Sequence, residues 1–387
     1  MPPTVILGPE NTLQNTDNNI RGMDANVYDL EPSVSPLVSL SDAMGSGSSD
    51  NPKFEWLEDE RMPRLTTLTA SASANATSFT VAADIFRVGD VVRFSGTAFG
   101  LLVTATGANN IQGSLIGTTG ATLAVSSEVF LVANANQEGA SLRALKMTQL
   151  VTQFNYDEIF RTPFGVTTTE LGTNHYGGDE RARLRKNFGI EHARQIENSA
   201  FFGIRNIGTI GATAGLGIAG TARTAGGLLY YIASNVSNVT ATGANNLTEY
   251  AWQTFLKQGF RYGSEVKTLF ASPTVVANIE GFARGNLRVV DSAGERYGIM
   301  MKRYVSGQGQ VDIIMHRDWN DSPVYGGYAF LVDMEAVKLR PLRNVGGTRL
   351  LPNRQAPDYD GVKDEYRSET GLQVIHERRH ALLTGVL

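Results

Sequence analysis

The chain has 387 residues and a mass of 41.8 kDa, with 42% hydrophobic and 19% charged residues, enough for a large core and roughly two or three domains. Thirty-four basic against 38 acidic residues give a net charge of −4, so no basic field of the kind a sequence-reading DNA binder needs is present. Cysteine is absent, which excludes a disulfide framework and thiolate metal sites and fits a reducing compartment.

The N-terminus MPPTVILGPENTLQ lacks the cationic region of a signal peptide. No apolar run approaches the ~18 residues that span a bilayer. The N-x-S/T triplets at Asn75, Asn235, Asn238 and Asn246 therefore read as turn chemistry, since glycosylation requires secretion. Forty-one glycines imply many turns and short strands rather than a helical bundle.

Residues 1–50 are rich in Asn, Asp, Ser, Pro and Gly, with scattered apolar anchors at Val27, Tyr28, Leu30, Val34, Leu37, Val38 and Leu40. Such a segment cannot fold alone and needs another surface, a neighbouring subunit being the simplest; DAMGSGSSDNP reads as a flexible link. Residues 64–140 change character: SFTVAADIFRVGDVVRFSG and ATLAVSSEVFLVA alternate β-branched residues between Gly-containing turns. They predict a small all-β module, carried by the flanks EWLEDERMPR and QEGASLRALKMTQLVTQF as two antiparallel strands.

A long helix is predicted over 179–202, with Asp179 as N-cap, the stripe Ile190, Ala193, Ile196, Ala200 and Phe201, and Gly203 as terminator. Its length would be ~35 Å, with Gly189 allowing a bend. A Gly-rich connector (203–227) leads to a short helix in GLLYYIAS. Further helices follow in LTEYAWQTFLKQGF, capped by Asn246 with Glu249, and after Ser272-Pro273. QVDIIMH, YAFLVD and AVKLRPL read as strands, and TGLQVIH and HALLTGV as a closing hairpin. VTATGANN occurs at 103–110 and 239–246 in different contexts, which marks it as low complexity.

Two motifs suggest enzymes and fail on context. His376-Glu377-Arg378-Arg379-His380 spells H-E-x-x-H, but it lies between strands, and no third ligand follows His380 as a zinc peptidase requires. Its plain reading is a polar hairpin turn. Gly215-Leu216-Gly217-Ile218-Ala219-Gly220 spells G-x-G-x-x-G, yet it follows a glycine-broken polar run, and no acid occurs before Glu249. The five histidines, 175, 192, 316, 376 and 380, form no other cluster. No catalytic, metal or cofactor-binding residues are assigned, and no cofactor is expected. Two charge clusters remain: Glu55, Glu58, Asp59 and Glu60; and Arg181, Arg183, Arg185 and Lys186 in the first turns of the long helix. Cations there oppose the helix dipole by up to ~1 kcal/mol each, so a partner anion would account for them; the alternative is two solvated faces.

The order of these segments resembles that of tailed-bacteriophage major capsid proteins with the Hong Kong 97-like fold. VYDLEPSVSPLVSLSDAMGSGSSDNPKFEWLEDE resembles an arm running into an extended loop, and FRVGDVVRF lies in the insertion. GGDERARLRKNFGIEHARQIENSAFFG resembles the spine helix, joined by RTAGGLLYYIAS and the ending ETGLQVIHERRHALLTGV. The resemblance implies an α+β fold: an N-terminal arm (1–50), an extended loop with its β-rich insertion (51–155), a peripheral domain with the spine helix (156–210), an axial domain (211–345) and C-terminal strands returning to the peripheral domain (346–387).

It further implies self-assembly into hexamers and pentamers of a phage head around double-stranded DNA, in the cytoplasm of a bacterial host. The implied partners are further copies of the chain, a portal protein, a separate scaffolding protein and a decoration protein, with no membrane. In such shells the extended loop of one subunit lies over the neighbour's spine-helix region, which would bring the acidic cluster onto the basic one. A phage tail, adhesin or carbohydrate-binding module built around the β insertion is the alternative.

Overall fold

The computed structural model describes residues 35–44, 47–117, 120–139, 141–143, 145–174, 178–210, 220–240, 247–286, 289–290, 302–322 and 324–386. The first 34 residues, most of the G-x-G-x-x-G run, His175, Asn246 and most of the second VTATGANN copy lie outside them. Contacts divide the chain into two compact units, Leu57–Gln153 on one hand and Met1–Trp56 with Phe154–Leu387 on the other.

The long helix runs Glu180–Phe202, and the Asp179 side chain accepts the Arg181 N–H at 3.0 Å. Gly203 closes it because a Cβ there would lie 2.4 Å from the Ser199 carbonyl oxygen. Gly189 is a seat for Tyr366: a Cβ would meet the Tyr366 ring at 3.4 Å, and the Tyr366 hydroxyl donates to the Arg185 carbonyl at 3.0 Å. The buried side of the helix packs on an antiparallel sheet of strands Glu158–Thr167, Val337–Pro341, Arg349–Leu351 and Gly361–Val374. Strand Glu158–Thr167 alternates strictly, burying Phe160, Thr162, Phe164 and Val166 and exposing the residues between them.

A second sheet has seven strands in the order 236–238, 381–384, 329–332, 266–271, 309–315, 302–306, 289–290. Its central strand Val266–Ala271 is buried on both faces after its first residue, as expected when helices cover a sheet. Helix Glu249–Gly259 contributes Trp252, Phe255 and Leu256 to that core, and helix Pro273–Asn286 adds Val275 and Ile279. Ser272 caps the latter as the Ser-Pro signal predicts (Val275 N–H to Oγ, 3.4 Å). The helix at 249 is capped by Thr248, whose hydroxyl accepts the Ala251 N–H at 3.2 Å; Asn246 of the expected capping box lies outside the described residues. The helix expected in GLLYYIAS is a single turn, Leu228–Tyr231.

The unit Leu57–Gln153 is all-β, a six-stranded sheet in the order 65–67, 128–134, 90–94, 100–107, 110–116, 78–80. It buries its own cluster, including Phe79, Phe86, Phe94, Phe99, Leu101 and Ile111. Strands Lys53–Glu58 and Val151–Tyr156 pair where the chain leaves for this unit and returns.

Two expectations are corrected. The closing strands form no hairpin: Gly361–Val374 pairs with 158–167, 337–341 and 349–351, whereas Ala381–Thr384 belongs to the seven-stranded sheet between 236–238 and 329–332. Alternation fixed which faces are buried but not which strands pair. The described part of the arm finds a packing surface on its own chain. Helix Pro36–Met44 buries Leu37 and Leu40 against Phe201, Leu228 and Leu339. Within the expected flexible link, Asp42–Met44 is helical and Ser49 bridges to Leu342.

Candidate functional site

The basic cluster at the long helix's start finds its anion within the chain. Asp364 lies on the helix-facing side of strand Gly361–Val374, almost wholly buried. Its oxygens accept from Arg181 Nη2 at 2.7 Å and Nε at 2.9 Å, from Arg185 Nε at 3.0 Å, and from the Asn353 N–H at 3.0 Å. Hydrogen bonding from Arg181 foremost holds its carboxyl down at about 2. Arg183 pairs with Glu180 one turn back, and Lys186 is exposed. The dipole argument located a real need for negative charge; its source is a strand 179 or more residues downstream. An acid alternating in phase with Tyr366 and Ser368 was the available signal.

The acidic cluster begins on strand Lys53–Glu58, where Glu55 is exposed and paired with Lys53, and Glu58 is buried. Asp59 accepts a long bond from the Thr148 hydroxyl at 3.5 Å. Glu55 belongs to one compact unit together with the basic cluster, and Glu58, Asp59 and Glu60 to the other.

The HERRH segment is a corner between the two sheets. His376 takes a left-handed backbone conformation (φ 51°), Glu377–Arg379 forms a 3-10 turn, and His380 opens strand Ala381–Thr384. The Glu377 carboxylate accepts the N–H groups of Ala233 at 2.8 Å and Ser234 at 3.0 Å. His380 is fully buried rather than part of a polar turn, and its Nδ1 accepts the Asp333 N–H at 3.2 Å. Burial first, then the Lys267 charge, pushes its imidazole down to about 4. Beside it Lys267, itself lowered to about 8 by burial, donates to the carbonyls of Gly259, Tyr262 and Arg379. Asp333 pairs with Arg379 at 2.7 Å. These contacts tie the corner to strands 266–271 and 329–332. Among the described residues, no three His, Asp or Glu side chains gather as a metal-ligand set.

Sequence reasoning missed the buried carboxylates that join distant segments. Glu197, wholly buried in the long helix, accepts the N–H groups of Leu37 and Val38, both at 2.8 Å, and so caps helix Pro36–Met44. Its position four residues before Phe201 on the apolar stripe was the legible hint.

The family model for the SU10 major capsid protein matches residues 9–387, and the chain belongs to that family. It is a shell-forming phage major capsid protein, a structural component of the virion capsid. The major capsid protein of Pseudomonas phage PaMx41 is 22% identical over 401 residues, covering 97% of this chain and 94% of that one. Among solved structures, one from Mycobacterium phage Bobi is similar at 7% identity and a TM-score of 0.49, covering 97% and 99% of the two chains. The capsid of cyanophage P-SCSP1u is similar at 11% identity and a TM-score of 0.46, covering 95% and 93%.

Proposed function

We propose that the chain builds the hexamers and pentamers of an icosahedral or elongated phage head of Hong Kong 97-like architecture around double-stranded DNA. Assembly takes place in the cytoplasm of a bacterial host, with portal, scaffolding and decoration proteins as further partners. The role is structural, without catalysis. The observation that carries this reading is the family match over residues 9–387. The arrangement of a long helix on one sheet, a helix-covered second sheet and an inserted β unit supports it. Negative-stain microscopy of the purified full-length protein tests it. Ring-shaped capsomers, sheets or closed particles are expected, and a uniform monomer under all assembly conditions would overturn it.

Within that shell, Glu55, Glu58, Asp59 and Glu60 of one copy face Arg181, Arg183, Arg185 and Lys186 of the next. Each such pair contributes ~0–1 kcal/mol, and repetition around a capsomer adds these contributions together. Reversing Glu55 and Asp59 to Lys should slow assembly at low salt, and Arg183→Glu with Lys186→Glu should restore part of it. Unchanged assembly of the first variant rules the contact out.

A further inference from the structure

Asp157 stands one residue before strand Glu158–Thr167, and its side chain is fully buried. The Ser49 hydroxyl donates to Oδ2 at 2.5 Å, while Oδ1 is buried and has no hydrogen-bond partner among the described residues. The segment on which Ser49 lies is fastened around this one carboxyl. The Ser49 N–H donates to the Pro341 carbonyl at 3.0 Å, and its carbonyl accepts the Arg343 N–H at 2.8 Å. The Asp157 N–H donates to the Pro52 carbonyl at 2.8 Å.

Three charged groups face Asp157: Glu369 from strand Gly361–Val374, Arg223 from strand Gly220–Thr224 and Arg340 from strand Val337–Pro341. Both arginines spend their described hydrogen bonds elsewhere. Arg223 donates to Glu369 at 3.1 Å and to the Asp157 backbone carbonyl at 3.3 Å. Arg340 donates to Gln373 at 2.7 Å and to the Ser48 carbonyl at 3.4 Å. A buried carboxyl with one hydroxyl donor and a second carboxyl nearby favours its neutral form.

We propose that Asp157 is a proton-operated latch for Ser48–Pro52: protonated, it holds this segment against the sheet edge, and loss of the proton loosens it. Burial first, and Glu369 in addition, push its carboxyl up to about 7, against the pull of Ser49, Arg223 and Arg340. In an opened segment the carboxyl meets water and titrates near its usual ~4. Docking therefore takes up a proton between those two values. The latch is firmest in acid, weakens by about tenfold per pH unit as pH rises towards 7, and changes little above it.

Hydrogen exchange of peptides covering residues 47–56 in the full-length chain, corrected for intrinsic exchange rates, reads the opening constant directly. It should rise about 50-fold from pH 5 to pH 7 and only about twofold from pH 7 to pH 8. Asp157→Asn should flatten this profile. Ser49→Ala should raise opening at every pH and keep the slope. A flat parent profile overturns the latch, as does an unchanged slope in Asp157→Asn. Should that variant not fold, the parent profile decides alone.

Discussion

The β unit Leu57–Gln153 and the rest of the chain solve the problem of cohesion differently. The β unit buries a contiguous apolar cluster, and its buried polar residues, among those described, are Glu58, Thr66 and Asp90. The other unit buries two apolar clusters and also a set of carboxylates, each bonded to a segment far away in sequence. Glu197 reaches helix Pro36–Met44, Asp364 reaches the start of the long helix, and Asp157 reaches Ser49. One region coheres by excluding water, the other also by fastening strands and helices at chosen points. Fastenings of this kind add little net stability compared with apolar packing, but breaking one leaves an unpaired buried group.

The comparison can be broken from either side. Phe94→Ala removes a ring packed between Phe79 and Phe99 and should cost the β unit about 4 kcal/mol. Exchange protection in Leu57–Gln153 should collapse while that of Val266–Ala271 persists; equal loss in both would show that the units are not independent. Glu197→Ala strips two N–H groups of their acceptor and should cost about 3 kcal/mol, with Glu197→Gln milder. Denaturant titration should show the loss outside the β unit.

Acid should also separate the two. His380, lowered to about 4, contributes stability that is full above its ordinary ~6.5 and is lost as pH falls through 4. Asp364, at about 2, contributes stability present above ~4 and lost on further descent towards 2. The stability difference between the parent and a His380→Gln variant, read from thermal melts, should therefore shrink as pH falls from about 6.5 to 4, on top of the opposite contribution of Asp157, which strengthens the same unit over that range. The smallest effect belongs to the exposed Arg343–Asp50 pair: Arg343→Ala should shift stability by less than about 0.5 kcal/mol.

The sequence showed the water-excluding parts most clearly. The β unit declared itself through alternation and turns, the long helix through Asp179 and Gly203, and the helix after Ser272 through its proline. Strand Val266–Ala271 escaped because VKTLFA carries a lysine at a buried position and no alternation, being covered on both faces. Asp364, Glu197 and Asp157 escaped because a carboxylate's partner is set by three-dimensional folding. The closing strands misled for a related reason: adjacency in sequence suggested a hairpin, while the corner at His376 sends them into separate sheets. Of the candidate site, the need for negative charge at residue 181 was legible and its source was not.

Strand Ala381–Thr384 sits inside its sheet, between neighbours made long before it. On the ribosome, residues 236–238 and 329–332 must wait for it, whereas the β unit is complete once residue 153 has emerged. At ~5–20 residues per second that interval is tens of seconds. A nascent chain thus carries a finished β unit beside an open sheet, and it can offer a complete body to other subunits only when synthesis has passed residue 384.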